Sequence, residues 1–452
     1  MQRSHKKNVK RRPKATPALP TINPHAAGID VGATSMYVAV PIDSCDKPIA
    51  LFGTFTEDLL ELAVYLKQCQ VKTVAMESTS VYWIPLFEIL EQEGFEVCLI
   101  NPNYPKKEKT DVEDCQWLQY LHSVGLLKAS FRPAEQVCAL REVLRFRDTS
   151  IKALAQSITR MQKSLTLMNL LLHNVISDIS GVTGLLIIDA VLAGERNPKA
   201  LAAKRDRRIK ASEEDIEKSL VGNYRAEHLF TLKRHRQAYK FHLEQIAECD
   251  AQIEQMLREF DDTPSQNPPT KPVAGIKFSK NDIRLPSGNL SSEMARIYGV
   301  NLTTIPGVGP MTVCTLFGEI GKDLSRFPNA SAFASWLKLC PNPRISGGRT
   351  LGHSNTPSKP KLSVLFRTIT QSLERSQTYL GAFYRRVKAK DGPQSAVKAT
   401  AHKIARIIFA MLKTKQPYDE KHFEAAQKKI NQSRVRWITQ QAASLGLTVQ
   451  NS

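Results

Sequence analysis

The spacing of apolar residues changes along this chain, and each spacing predicts a different kind of structure. From 26 to 42, "AAGIDVGATSMYVAVPI" is apolar and β-rich, broken by Gly28 and Gly32. That pattern predicts a strand, a tight turn and a second strand. "KPIALFGTFT" (47–56) fits a third strand, and "LLELAVYLKQC" (59–69) has helical spacing. "VKTVAMES" (71–78) is a short buried strand, "WIPLFEILEQEG" (83–94) a helix stopping at Gly94, and "FEVCLINP" (95–102) another strand. A helix then runs from "KTDVEDCQW" to about His122. Strands followed by alternating helices and strands make this an α/β layer with a mixed sheet.

The middle of the chain follows a different rule. Ile151, Leu154, Ile158, Met161, Leu165, Met168, Leu172 and Val175 step by three and four, the seam of a coiled coil. Leu243, Ile246, Asp250, Ile253, Leu257 and Phe260 form a second seam with Asp250 as its polar break. The two seams suit antiparallel pairing, within one chain or between two. "DDTPSQNPPTKP" (261–272) reads as a proline-rich linker. Beyond it, "LTTIPGVGPMTVCTLFGEIG" (302–321) sets a Gly-x-Gly turn between two helical patterns, in the manner of a helix-hairpin-helix. "SAVKATAHKIARIIFAML" (395–412) is a strong helix with Lys398, His402, Lys403 and Arg406 beside an apolar stripe. The expected organisation is a basic arm (1–24), an α/β domain (25–130), a helical coiled-coil region (131–262), a linker (263–297), a helical domain (298–418) and a tail (419–452).

Charge narrows the class of partner. The chain has 452 residues, 63 Lys and Arg against 43 Asp and Glu, and a formal net charge of +20. The first carboxylate is Asp30, and "RSHKKNVKRRPK" ahead of it holds seven Lys or Arg, among them Lys6, Lys7, Arg11 and Arg12. Such an arm suits a phosphate backbone, and its grip should weaken steeply with salt. A second basic cluster, "RNPKALAAKRDRRIK", covers 196–210. No apolar run nears the roughly 20 residues of a membrane span, and the N-terminus does not read as a signal peptide. The eight cysteines form no Cys-x-x-Cys pair, so zinc is not expected and reduced thiols of a cytoplasmic protein are.

In so basic a chain, Asp111, Glu113 and Asp114 stand together. Thr110 with Glu113 fits a capping box, which gives Glu113 a job at the helix start. Asp111 and Asp114 are three apart and share a helix side. Asp30 and Glu77 come at strand ends, where open α/β sheets gather functional groups. Four carboxylates from three segments suit Mg²⁺ or Mn²⁺, and such ions can activate a nucleophile against a phosphodiester. An ordinary helix start and an ordinary post-strand turn account for the same residues.

Several segments together resemble a known family. "GIDVGATSMYVAV", "AMESTSVYWIPLFEIL", "NPNYPKKEKTDVEDCQWLQYLHSVGLL" and "SFRP" look like the N-terminal half of DEDD-type insertion-sequence transposases, those guided by a bridge RNA. "IPGVGPMTVCTLFGEIG", "SRFPNASAFASWLKLCP", "ISGGRTLG" and "LGAFYRRVKAKDGPQSAVKATAHKIARIIFAML" look like their C-terminal domain. The resemblance implies a RuvC-like, RNase H-type domain with Asp30, Glu77, Asp111 and Asp114 as metal-binding acids. It implies a serine nucleophile, here Ser346 in "RISGGRT", and strand exchange in double-stranded DNA through a phosphoserine link. It further implies a structured guide RNA, dimers assembling into tetramers, and a bacterial, nucleoid-associated location.

Around Ser346, Gly347 and Gly348 would let a phosphodiester come close, and Arg344 and Arg349 could neutralise it. Taken by itself, Ser-Gly-Gly reads as a turn. "HSNTPSKPKLSVLFR" departs from the family's glycine-containing basic stretch through Pro357 and Pro360, while Lys359, Lys361 and Arg367 keep its charge. A metal-dependent nuclease using water, of the Holliday-junction-resolvase type, and a non-catalytic nucleic-acid-binding protein are the alternatives.

Overall fold

The computed structural model describes residues 19–101, 110–264, 279–340, 343–353 and 361–444. They divide after Arg132 into two compact units. The arm residues Lys6, Lys7, Arg11 and Arg12, most of the proline-rich linker, and Lys359 lie outside the described residues.

The first unit is built on five strands: β1 (Ala26–Val31), β2 (Met36–Ala39), β3 (Ile49–Phe52), β4 (Thr73–Glu77) and β5 (Glu96–Ile100). Their order in the sheet is β3-β2-β1-β4-β5. β1, β2 and β3 pair antiparallel, as a tight turn at Gly32 allows, whereas β4 and β5 join β1 in parallel. Parallel neighbours need crossovers, and helices supply them: α1 (Thr56–Gln68) before β4 and α2 (Trp83–Gln92) before β5. Ala27, Ile29, Val31, Met36, Val38, Val74 and Met76 form one core with Leu59, Leu62, Leu66, Leu86 and Leu90 of these two helices. α3 (Asp111–Ser123) packs on β1, β2 and β4. A mixed sheet of this order is the RNase H-like architecture.

The second unit is helical apart from one hairpin. α4 (Glu135–Leu167) and α8 (Ala226–Arg258) are 33 residues each. Arg147 meets Asp250 and Ser164 meets Thr231, so the pair is antiparallel within the chain. The first seam ends sooner than its spacing predicts. Asn169 adopts φ +57°, the left-handed region, and stops the helix just after Leu167. Met168 and Leu172 instead bury under α5 (Val182–Leu192), α6 (Pro198–Ala202) and α7 (Glu213–Ser219), which cap that end of the coil.

The polar break in the second seam has a partner that spacing alone does not reveal. Arg147 is 1% exposed and gives Nε to Asp250 Oδ1 at 2.6 Å. Its other nitrogens donate to the carbonyls of Asn281 and Asp282 at 2.9 and 3.0 Å, and Asp250 Oδ2 accepts from the Arg284 amide at 3.1 Å. One buried pair thus holds two helices and the chain segment that follows the linker. That segment also includes α9 (Leu290–Tyr298), inside the stretch read as linker.

The remaining helices are α10 (Pro310–Ile320), α11 (Ala330–Trp336), α12 (Lys361–Ser372), α13 (Tyr379–Thr414) and α14 (Glu424–Ser444), the last lying in the expected tail. α13 kinks where Gly392 (φ +84°) precedes Pro393. The expected helix-hairpin-helix has only a single 3₁₀ turn, Leu302–Thr304, ahead of its glycines. Ile305, preceding Pro306, is extended (ψ 125°), which ends the turn before it can lengthen. β6 (Pro343–Ser346) and β7 (Arg349–His353) form the hairpin. All eight cysteines are free, and no described helix is long and apolar enough to cross a membrane.

Arg147→Ala strands Asp250 without its cation in a closed site, so it should lower stability by about 3–5 kcal/mol. Urea unfolding followed by circular dichroism reads this directly. A loss below about 1 kcal/mol would contradict the role given to the pair.

Candidate active site

β1 and β4 run parallel with Ile29 opposite Met76. One further step sets Asp30 level with Glu77 on neighbouring strands, whose spacing is about 4.8 Å. Alternation decides which way they face. Ile29 and Met76 belong to the core under α1 and α2, so Asp30 and Glu77 face the opposite side, where α3 lies.

The direction of α3 follows from its contacts. Near its end, Gln119 Nε2 donates to the carbonyl of Ala26 at 3.2 Å, and His122 Nε2 is hydrogen-bonded to Thr73 Oγ1 at 2.8 Å. Ala26 and Thr73 open their strands, so the helix runs antiparallel to them. Its first turn therefore falls beside the strand ends that carry Asp30 and Glu77. Gly28 makes so close a seating possible. A Cβ at that position would stand 2.3 Å from the Gln119 amide nitrogen and 2.4 Å from the Cys115 carbonyl oxygen.

Each acid has its own setting. Glu77 and Asp114 are buried, at 6% and 9% exposure, Asp30 is half-buried and Asp111 is exposed. Thr110 caps the helix: its Oγ1 accepts from the Glu113 amide at 3.3 Å and donates to Glu113 Oε2 at 2.6 Å. Glu113 is thus taken up at the cap, as its spacing predicts. A helix N-terminus favours carboxylates in any case, which accounts for Asp111 and Glu113. It does not require Asp114 to be buried.

Electrostatics tie two of the acids to one neighbour. The fully buried Cys115 thiol is pushed up to about 12, first by burial, then by the Asp30 carboxylate, with Asp114 adding to it. Sequence reasoning passed over Cys115 and took Gly28 for a break in the first strand, whereas it lies inside β1. A glycine two residues before a strand-end Asp was the available signal for Gly28, and Cys115 had none.

All four side chains offer hard oxygen donors, the set that a divalent cation of the Mg²⁺ type prefers. Two of them are withdrawn from water, where carboxylates need a cation or donors for compensation. Among the described residues, no three His, Cys, Asp or Glu side chains stand close enough to enclose an ion. Asp30, Glu77 and Asp114 are gathered on one face at one end of the sheet, with Asp111 at the solvent edge, in an open arrangement.

Ser346 belongs to the second unit. It ends β6 opposite Arg349, and Gly347 and Gly348 between them have φ of +55° and +76°. Both central residues are left-handed, as a two-residue hairpin turn of this kind demands, so the glycines are needed by the turn itself. A Cβ on either would meet nothing within 4 Å, so the tip is open to a ligand. Ser346 and Arg349 are exposed there, and Arg344 lies on β6. Lys361 opens α12 and pairs with Asp148 at 2.6 Å, which neutralises part of its charge. Of the basic residues marked on α13, Lys398 and Arg406 are exposed. Lys403 instead donates to Tyr379 Oη at 2.7 Å and sits 4.4 Å from the Phe383 ring centre.

Residues 27–170 match the family model DEDD_Tnp_IS110, described as a transposase. Residues 300–385 match Transposase_20, described as the transposase IS116/IS110/IS902 family. The chain belongs to the IS110 family of transposases. It is accordingly an enzyme of DNA transposition and recombination, and DNA is its partner. No curated protein matches the sequence. The first match takes in the whole acid-bearing sheet and α3, and the second ends inside α13 after spanning the Ser346 hairpin.

Gly28→Val should force α3 off β1 and cost about 3 kcal/mol, in the range of severe overpacking. Cys115 reports the same event, because its raised, buried thiol should resist iodoacetamide at pH 8.5 in the native chain and label in the variant. Equal labelling in both would contradict the close seating.

Proposed function

We propose that this transposase cuts and exchanges DNA strands with a hydroxyl of its own, under the control of a divalent cation and a guide RNA. The observation that carries the reading is the gathering of Asp30, Glu77 and Asp114 at one end of an RNase H-like sheet in a chain of this family. Together with Asp111 they would hold Mg²⁺ or Mn²⁺. Such an ion, when bound, offsets charge on a scissile phosphate and eases ionisation of a hydroxyl.

Ser346 supplies that hydroxyl. Its Oγ forms a bond to phosphorus while the bond from phosphorus to one sugar oxygen breaks, and the sugar leaves as an alcohol carrying the proton. One phosphoester replaces another, so no external energy source is needed, and a second DNA hydroxyl can reverse the step on a new strand. Arg349, opposite Ser346 in the hairpin, would bring positive charge to the phosphate oxygens, and Arg344 belongs to the same segment of the sequence. A structured guide RNA then chooses the sequence by base pairing, and dimers associate into tetramers to hold both DNAs. The resemblance to bridge-RNA-guided members supports these last two points, and the net charge of +20 supports the binding of a polyanion.

A second reading has one observation behind it. Ser346 is exposed, with no hydrogen bond from its side chain to a described acid or base, and an unactivated serine is a poor nucleophile. Water would then attack, and the products would carry free termini.

Denaturing gels of element-end DNA with Mg²⁺ distinguish the two. Ser346→Ala and Asp30→Ala should each reduce a covalent protein–DNA adduct at least about a hundredfold, within the range for losing a nucleophile or its activation. Undiminished cleavage with free ends in Ser346→Ala would hand the reaction to water. Affinity for DNA should also fall at least about tenfold between 50 and 200 mM salt if the cations supply the grip. A flat salt response would contradict that.

A further inference from the structure

The half of α8 nearest the α5–α7 cap presents a face that the coil does not use. Phe230 and Phe241 are 57% and 56% exposed. Eleven residues separate them, three turns and a small remainder, so they point the same way and stand about 16 Å apart along the axis. Lys233, Arg234, Gln237 and Lys240 are exposed within the same arc, and the Arg234 guanidinium lies 5.0 Å from the Phe230 ring centre. Leu232 and Tyr239, on the opposite side of the helix, are the residues buried in the core. No acid occurs between Glu227 and Glu244, whereas Glu244, Glu248, Asp250 and Glu254 crowd the other half. α8 is therefore split into a cationic, aromatic half and an acidic half.

We propose that this face binds an unpaired stretch of RNA, with bases stacked on Phe230 and Phe241 and phosphates held by Lys233, Arg234 and Lys240. Two exposed rings on one face of the helix offer bases a stacking surface, and the cations between them specify an anion. A second copy docked patch to patch fits poorly, because the same face brought against itself opposes three cations with three cations. Duplex DNA fits poorly too, because its bases are already stacked and cannot reach the rings. Loops of a folded RNA offer both unstacked bases and phosphates. The 16 Å separation matches two to three nucleotides of extended strand, so the rings need not take consecutive bases. The inference rests on the proposed use of a guide RNA only for the identity of the polymer.

The test uses the full chain in EDTA, so that strand cleavage and this binding fail separately. Phe230→Ala/Phe241→Ala changes only exposed side chains, and an unchanged melting curve confirms folding. Its affinity for a fluorescent twelve-nucleotide oligouridine should fall about tenfold or more, in line with losing stacking partners. Affinity for a twelve-base-pair RNA duplex should change less than about twofold, and Asp30→Ala should bind both probes like the unaltered chain. Lys233→Ala/Arg234→Ala/Lys240→Ala should lower the slope of log affinity against log salt for the oligouridine by about 2, at roughly 0.7 per phosphate contact. Ultraviolet crosslinking of the chain in cells should leave a ribonucleotide on the peptide carrying Phe230 or Phe241. Unaltered oligouridine binding in the double phenylalanine variant, an equal loss for the duplex, or only deoxyribonucleotide adducts on those peptides would overturn the proposal. So would a changed oligomeric state in that variant, which would return the face to a protein partner.

Discussion

The absence of a side chain at Gly28 is the constraint on which the acid corner depends. A helix can lie on a sheet at ordinary distance almost anywhere, but here the Cys115–Gln119 backbone comes to where a Cβ would be, at 2.3 and 2.4 Å. That contact fixes how deep α3 sits and, with the Thr73–His122 and Ala26–Gln119 bonds, how far along β1 it lies. Asp114 is buried as a consequence, and its height relative to Asp30 follows from the same seating. The parallel register of β1 with β4 adds Glu77 at the level of Asp30. One backbone approach and one strand pairing thus place Asp30, Glu77 and the first turn of α3 at the same end of the sheet.

The second unit is organised by the opposite device, a charge taken inside. Arg147 and Asp250 are removed from water, and all three guanidinium nitrogens and both carboxylate oxygens are met by the partner or by backbone of residues 281–284. Such a pair contributes little net stability against a well-packed apolar alternative, but it is intolerant of slippage. It accordingly sets the register of α4 against α8. With that register held, the far half of α8 keeps its aromatic and cationic residues outward and its apolar ones inward.

Much of this was legible in the residues. Strands and helices of the first unit follow from period and from breakers such as Gly32 and Gly94, because local pattern and tertiary environment agree there. The family segments "GIDVGATSMYVAV" and "NPNYPKKEKTDVEDCQWLQYLHSVGLL" drew attention to Asp30, Asp111 and Asp114, and Thr110 with Glu113 separated the cap from the rest. What could not be read depends on partners distant in sequence. Asp250 was visible as a polar break, but Arg147 lies 103 positions away and looks like any helix-surface arginine. The seam through Val175 kept its spacing past Asn169, where a single left-handed residue ended the helix. Lys403 stood with Lys398 and Arg406 beside an apolar stripe in the sequence, and only the fold brings Tyr379 and Phe383 to it. The hairpin that exposes Ser346 is local by contrast, and its two left-handed glycines were visible in the sequence.

The central claim is that Asp30, Glu77 and Asp114 act together on a divalent cation while their neighbour Glu113 only caps a helix. Electron paramagnetic resonance of free Mn²⁺, titrated into the full chain, separates those roles. Asp30→Asn, Glu77→Gln and Asp114→Asn should each weaken Mn²⁺ binding at least about tenfold, the order expected for losing a ligand, and Glu113→Gln should leave it nearly unchanged. Equal binding in all four variants, or a loss in Glu113→Gln as large as in Asp114→Asn, would contradict the account.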